Sequence, residues 1–325
     1  MQWRFSCLIL LSLGFAYSDI ERQYFFDLDI CTGMGDRVGT ILTLAALARL
    51  EGARVVVWWC DKPSKIFSRV HPHIPRWHGY NYSLTEFKRH FVLPTEVILV
   101  DSVDARHIKL PRVQWQGLGL PAAQGSNCVY TIAWKTTRLG LTLISGQLFE
   151  PAYKAVSRPL AESAGDSGGG QNRRYIAVHL RGPDDNTYSQ FEGAWNISST
   201  YCTSKVIARL LTLNVPMIAI SNNITWAQAQ LGQKLQVQEE TNPYDGFSFL
   251  LGASAIVQHA WGGWSSYSSV PAFASGAPLI STYHGEPHRF DLFRNQGGLP
   301  RELYDCSQQS QFVHATTAAL RNIDF

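Results

Sequence analysis

Charge is scarce in this chain. Only 16% of its 325 residues are Asp, Glu, Lys or Arg, against roughly 25% in ordinary soluble proteins. No run of like charge is longer than two residues, which excludes an acidic tail, a charged coiled coil and the basic stripe that grips nucleic acid. No apolar stretch reaches the eighteen or so residues that a bilayer-spanning helix needs. The six cysteines (Cys7, Cys31, Cys60, Cys128, Cys202 and Cys306) are scattered with no C-x-x-C pair, which argues against a structural zinc site. What is plentiful is apolar surface. Hydrophobic residues make up 45% and aromatics 12%, enough to exclude disorder and, at this length, to build about two cores. The net charge of +3, from 28 basic and 25 acidic residues, names no partner.

Residues 1–18 read as a secretory signal. Arg4 supplies the positive start, Phe5 to Ala16 is uncharged and apolar, and Ala16-Tyr17-Ser18 offers the small residues a signal peptidase requires. A short uncleaved anchor and a buried N-terminal helix or strand are the alternatives. Three glycosylation sequons, Asn81-Tyr-Ser83, Asn196-Ile-Ser198 and Asn223-Ile-Thr225, agree with a secretory lumen, endoplasmic reticulum or Golgi, or with secretion. Removal of the signal takes Cys7 with it, so an oxidising compartment leaves room for up to two disulfides and one thiol.

The body reads as α/β. Tyr24–Ile30 is strand-like, a glycine-rich turn follows, Val38–Leu50 has helical spacing, and Arg54–Trp59 has the dense apolar character of a buried parallel strand. Residues 62–95 look irregular, Glu96–Val100 reads as a strand, and 129–160 mixes apolar runs with helix-like stretches. Ser163–Asn172, rich in Gly and Ser, is the best linker. Beyond it the alternation resumes, with strands expected at 175–180, 216–220, 235–237, 255–257 and 278–280, and helices at 199–213, 225–231, 247–252 and 265–275. The expected organisation is therefore a domain over 19–162, a linker over 163–172 and a domain over 173–325. These would be two doubly wound Rossmann-type halves facing across a cleft where ligands bind.

Three stretches carry chemistry. The first is Gly33-Met-Gly35-Asp36-Arg37-Val-Gly39, between a strand and a helix. It suits a dinucleotide turn with Asp61 on the ribose, or a tight β–α turn with no ligand. The second is His179-Leu-Arg181-Gly-Pro183-Asp-Asp185 at the end of a strand. Arg181 offers a bidentate fork to a diphosphate, whose charge grows as its bond to a sugar breaks, and His179 shares its side of the strand. The alternative pairs Arg181 with Asp184 or Asp185. The third runs from Asp245 to Ser269, through Gln258-His259 and then Trp264-Ser265-Ser266-Tyr267-Ser268-Ser269. Hydroxyls and N–H groups at a helix start suit an anion, though a plain helix cap is the far commoner use of such residues.

The order of these stretches resembles the fucosyltransferase superfamily: a G-x-G-[ND]-R opening, an H-x-R strand end, then an Asp-led helix, a strand and a Ser-Ser-aromatic loop. That superfamily includes α1,2- and α1,6-fucosyltransferases and protein O-fucosyltransferases. The resemblance implies a GT-B fold, GDP-fucose as donor substrate with no other cofactor, inversion at the anomeric carbon, no metal, and a glycan or protein acceptor. It implies that Arg181 grips the diphosphate, with His179, Ser221, Asn222, Asp245, Ser265, Ser266 and Tyr267 around the donor. Gly33, Gly35, Asp36 and Arg37 fall on the acceptor side. Asp36 and Asp29 are the carboxylates placed to act as base. The sequence departs from the family form H-x-R-R-G-D in lacking the second arginine and in having Pro183, and has Asp36 where Asn is usual.

Two other classes compete. One is an NAD(P)-dependent oxidoreductase built on the Gly33–Gly39 turn. The other is a non-catalytic glycan-binding relative, for which ten tryptophans would supply sugar-stacking faces. A metal-dependent transferase using Asp27-Leu-Asp29 is less suited, since that D-x-D falls in the first expected strand.

Overall fold

A computed structural model describes residues 22–27, 33–59, 83–102, 109, 112–115, 129–132, 149–166, 175–180, 207–208, 210–212, 214–221, 223–231, 235–239, 242–259, 265–283 and 301–305. The first half contains β1 (Arg22–Asp27), α1 (Met34–Glu51), β2 (Ala53–Trp58), α2 (Leu84–His90), β3 (Val97–Val100), β4 (Arg112–Trp115) and β5 (Val129–Ile132). Its five strands are all parallel, in the order β3-β2-β1-β5-β4. Helix α3 (Phe149–Asp166) follows. The second half contains β6 (Ile176–Leu180), β7 (Met217–Ser221), α4 (Ile224–Leu231), β8 (Val237–Glu239), α5 (Pro243–Leu251), β9 (Ala255–His259), α6 (Ser266–Ser275), β10 (Leu279–Tyr283) and β11 (Arg301–Asp305). These strands too are parallel, ordered β11-β10-β9-β6-β7-β8. The chain winds outward from β6 through β7 to β8, then returns to the other side of β6 as β9. This is the doubly wound α/β pattern expected from the alternating runs.

Parallel strands buried on both faces need apolar residues at nearly every position, and β6 (IAVHL) and β9 (AIVQH) meet this with a polar residue only near their carboxyl ends. Helix α1 is buried on almost all sides because it packs against helices α3 and α6 as well as against β2. It stops at Gly52, whose left-handed backbone (φ 58°) lets its N–H close on the carbonyls of Ala48 and Arg49. One continuous apolar cluster runs from Phe26, Val55 and Val57 of the first sheet through α1, α3, α5 and α6 to Ala177, Ile220 and Ile256 of the second. A smaller cluster, including Val178, Leu210, Ala227 and Val257, covers the other face of the second sheet.

Several expectations need correction. The region 62–95 is not wholly irregular, because α2 occupies 84–90, capped by Ser83, whose Oγ accepts from the Glu86 N–H. The expected linker begins inside a helix, since α3 continues to Asp166; residues 167–172 lie outside the described residues. Helix α5 starts four residues earlier than expected, with Asn242 as cap and Pro243 in the first turn, a placement that suits proline's missing N–H. The short strands β4, β5 and β11 had no separate signal. Of the helix expected over 199–213, residues 207–208 and 210–211 are helical and 199–206 lie outside the described residues.

Candidate active site

The reversal of strand order in the second sheet falls between β6 and β9, and open parallel sheets bind ligands beyond the carboxyl ends of their strands at such points. His179 and Gln258 are register partners there. Side-chain alternation turns both toward α6, on the same face as Ala177 and Ile256. Both are buried, and so are Ser268 and Ser269 in the first turn of α6. The four are joined by hydrogen bonds. His179 Nδ1 lies 3.1 Å from Ser268 Oγ, the Ser268 hydroxyl donates to Gln258 Oε1 at 2.7 Å, and Ser269 donates to the same oxygen at 3.2 Å. The backbone N–H groups of Ser268 and Ser269 both turn back to the Ser265 carbonyl. Tyr267 packs its ring 5.4 Å from that of His179 and donates its hydroxyl to the Pro243 carbonyl at 2.6 Å, tying the start of α6 to the start of α5.

The opposite face of the same sheet edge carries His259. Its ring lies 5.7 Å from Trp226 of α4, and burial pushes its pKa down from 6.5 to about 4, so it is neutral at physiological pH. At the end of β7, Ser221 Oγ accepts from the Asn223 N–H at 3.0 Å and donates to the Asn223 carbonyl. Asn223 Oδ1 in turn accepts from Trp226 N at 2.9 Å, so the side chain of the third sequon caps α4.

The first motif reaches the same place from the other sheet. A Cβ built on Gly35 would stand 2.3 Å from both Ser266 C and Tyr267 N, a distance no side chain tolerates. Only glycine lets the first turn of α1 touch the backbone of α6. The two helix starts, each following the carboxyl end of a central strand, therefore meet at Gly35 and Ser266. Gly33 has open space around its Cβ position and serves as the N-cap residue of α1. Asp36 is half-buried in the first turn of α1, and its carbonyl accepts from Thr40 Oγ1 at 2.8 Å. Arg37 is 2% exposed, with its guanidinium 5.0 Å above the Trp59 ring. Near the same sheet's carboxyl edge a cavity of about 340 Å³ is lined by Leu84, Thr85 and Lys88 of α2 and by residues 99–102.

The expected residues thus separate into groups. Gly35, Ser265, Ser266, Tyr267 and His179 come together at one junction, with Gly33, Asp36 and Arg37 in the adjoining turn. Ser221 lies at the end of the neighbouring strand β7, its hydroxyl committed to its own turn. Asp245 sits apart. Its carboxylate is exposed and lies 3.6 Å from His90 Nδ1 of α2, and the His90 ring stacks on Tyr244 at 5.2 Å. Ser265 occupies the cap position of α6 without a side-chain cap bond, and Tyr267 is engaged with Pro243. Arg181, Asn222, Asp29 and Asp61 lie outside the described residues. Gln258, His259, Ser268 and Ser269 fall inside the third stretch, but sequence reasoning assigned none of them a role of its own. The signal available was a polar pair closing an otherwise apolar strand, and two further hydroxyls one helical turn into α6. Among the described residues, no His, Cys, Asp and Glu side chains gather closely enough to hold a metal ion, and no helix is long and apolar enough to cross a membrane.

No protein family description matches the sequence, and no curated protein matches it. Among solved structures, the fold is similar to NodZ α-1,6-fucosyltransferase soaked with GDP-fucose, at a TM-score of 0.46 and 12% identity over 86% of this chain and 97% of that one. It is similar to POFUT1 in complex with GDP at a TM-score of 0.44 and 9% identity, covering 89% and 99%. A family 9 glycosyltransferase from Veillonella parvula matches at a TM-score of 0.41 and 13% identity, covering 91% and 89%.

Proposed function

We propose that this chain is an inverting, metal-independent glycosyltransferase that moves fucose from GDP-fucose to a hydroxyl of a glycan or protein in the lumen of the secretory pathway. One observation supports the reading: residues from three stretches far apart in sequence, which together resemble the fucosyltransferase pattern, meet at the start of α6. Gly35 of the first motif touches Ser266 and Tyr267 of the third, and His179 of the second is bonded to Ser268 beside them.

In this reading residues 173–325 hold the donor and 19–162 present the acceptor. Arg181, two residues beyond His179, grips the diphosphate and stabilises the charge that accumulates on it as the glycosidic bond breaks. That interaction is stronger in the transition state than in the ground state, which is what accelerates transfer. The acceptor hydroxyl must lose a proton as it attacks, and Asp36, next to Gly35 in the first turn of α1, is the carboxylate we assign to take it. The dinucleotide alternative loses its main support at Gly35, whose missing side chain makes room for α6 and not for a pyrophosphate.

The test is a donor panel that needs no knowledge of the acceptor. GDP-fucose is hydrolysed in preference to other sugar nucleotides, GDP raises the melting temperature because it binds only the folded state, and Arg181→Ala abolishes turnover while leaving the fold intact. A melting shift with NAD(P)H and none with GDP overturns the reading.

A further inference from the structure

The hydrogen bonds around His179 fix more than its position. A serine hydroxyl has one proton to give. Ser268 gives its proton to Gln258 Oε1, its shortest contact at 2.7 Å, and an amide oxygen only accepts. Gln258 Oε1 also receives the Ser269 hydroxyl at 3.2 Å, so two donors converge on it and hold the amide with its oxygen toward α6. With its proton committed, Ser268 Oγ can meet His179 Nδ1 at 3.1 Å only as an acceptor. The ring nitrogen must therefore carry a hydrogen.

We propose that Ser268 and Gln258 are positioning residues that lock His179 in the Nδ1–H form, leaving Nε2 as the accepting nitrogen of the neutral ring. The cluster is fully buried at Gln258, Ser268 and Ser269, and His179 is 3% exposed, so water does not scramble the arrangement. Tyr267 closes one side of the ring at 5.4 Å and is itself pinned to Pro243, which restrains a flip of the imidazole. A group that meets Nε2 of the neutral ring must then bring its own hydrogen, as a sugar or ribose hydroxyl does and a phosphate oxygen does not. This last step rests on the proposed donor site; the proton order does not.

Nitrogen-15 spectra of the full chain labelled at histidine, with His179 assigned from the signal missing in His179→Gln, read the proton order directly. The expected wild-type pattern above pH 7.5 is a protonated Nδ1 and an unprotonated Nε2. Gln258→Met removes that acceptor and leaves the Ser268 proton a choice between Nδ1 at 3.1 Å and the Ser265 carbonyl at 3.4 Å; turning to the nearer Nδ1, it moves the ring to the Nε2–H form. Ser268→Thr keeps the Nδ1–H form. A wild-type Nε2–H pattern, or a Gln258→Met pattern identical to wild type, overturns the proposal. In the activity arm, Gln258→Met raises the KM for GDP-fucose hydrolysis about tenfold with a smaller change in kcat, and Ser268→Thr stays near wild type. A merely structural role would instead lower the active fraction and leave KM alone. If the proton order behaves as stated and no GDP-fucose is hydrolysed even by the wild type, the relay stands and the proposed reaction falls.

Discussion

The two sheets end differently at their carboxyl edges. In the first, β1 closes with Phe25, Phe26 and Asp27 and β2 with Trp58, Trp59 follows, and Arg37, buried in the adjoining helix, is held above the Trp59 face. In the second, β6, β7 and β9 finish in His179, Ser221, Gln258 and His259, all buried. The first edge is walled by rings; the second is filled with groups that need hydrogen bonds. An unsatisfied buried polar group costs roughly 1–3 kcal/mol, and the second edge avoids that cost where Ser268 and Ser269 meet the Gln258 oxygen and Ser221 meets its own turn. The comparison teaches where chemistry can sit on this scaffold. A ring-lined edge offers shape and stacking. A polar edge fixed by its own bonds offers donors and acceptors already aimed.

The sharpest way to break the comparison is to separate the edges. Gly35→Ala puts a methyl into the backbone of Ser266 and Tyr267. Since neither partner is a flexible side-chain end, the cost falls at or beyond the upper end of overpacking, about 3 kcal/mol. Gly33→Ala, two residues away and facing open space, changes stability by no more than about 1 kcal/mol, the scale of an N-cap preference. Urea unfolding of the two variants side by side checks this. Equal midpoints would mean that α1 and α6 do not meet at Gly35.

A second effect belongs to the polar edge alone. The folded pKa of His259 is lowered from 6.5 to about 4 by burial, so between those values the unfolded chain binds a proton that the folded chain refuses. Stability then falls as pH drops through that window, by on the order of 3 kcal/mol in total, and levels off below it. Above pH 6.5 the residue contributes no pH dependence. His259→Phe keeps a ring beside Trp226 and removes the titration. The difference between wild-type and variant unfolding free energies should follow this window, and a difference independent of pH would contradict it.

Much of this was legible in the sequence, for reasons that also mark the limit. Buried parallel strands require unbroken apolar runs, so β2, β6, β7 and β9 announced themselves within a residue or two. Glycines at 52 and 276, both with positive φ, end α1 and α6 within a residue of where the helices were expected to stop. β4 (RVQW) lacks the unbroken apolar run that made the equally short β3 (VILV) legible, β5 (VYTI) was not separable from the mixed stretch around it, and α2 was hidden among the Trp, His and Pro of its surroundings. The meeting of Gly35 with Ser266 joins positions more than two hundred residues apart, which no local pattern encodes; the order of motifs hinted at it only through a family resemblance. The resemblance also implied that Asp245 faces the donor, and the fold sets its carboxylate on the surface against His90. Gln258 escaped notice because a lone Gln in an apolar strand has no spacing to distinguish it. Its importance appears only when His179 is seen to be its register partner.

On the ring-lined edge the expected effect is smaller. Arg37 is nearly inaccessible, and a desolvated guanidinium over an indole is worth about 2 kcal/mol. Arg37→Met keeps most of the volume and loses that attraction. Arg37→Lys keeps the charge but not the flat, weakly hydrated group that lies against the ring, so it restores only part of the loss. Thermal unfolding of both variants with Trp59→Leu in a double-mutant cycle measures the coupling directly. A coupling near zero would remove the ring from the account of how this edge holds its cation.

The smallest expected effect tests whether the polar edge is rigid enough to aim His179. Tyr267→Phe deletes one hydroxyl and leaves the Pro243 carbonyl without that donor, a change of about 1 kcal/mol. The phenyl ring still packs beside His179 and Phe247, at 5.4 and 5.6 Å in the parent, so the core is retained. If the polar edge owes its order to these bonds, unfolding shows the modest loss while hydrogen exchange at the first turns of α5 and α6 speeds up together, because the bond joins those two helix starts. Exchange that quickens at α6 alone would show that the Tyr267 hydroxyl caps a local turn and does not couple the helices, and the distinction between a walled edge and a wired one would lose its structural basis.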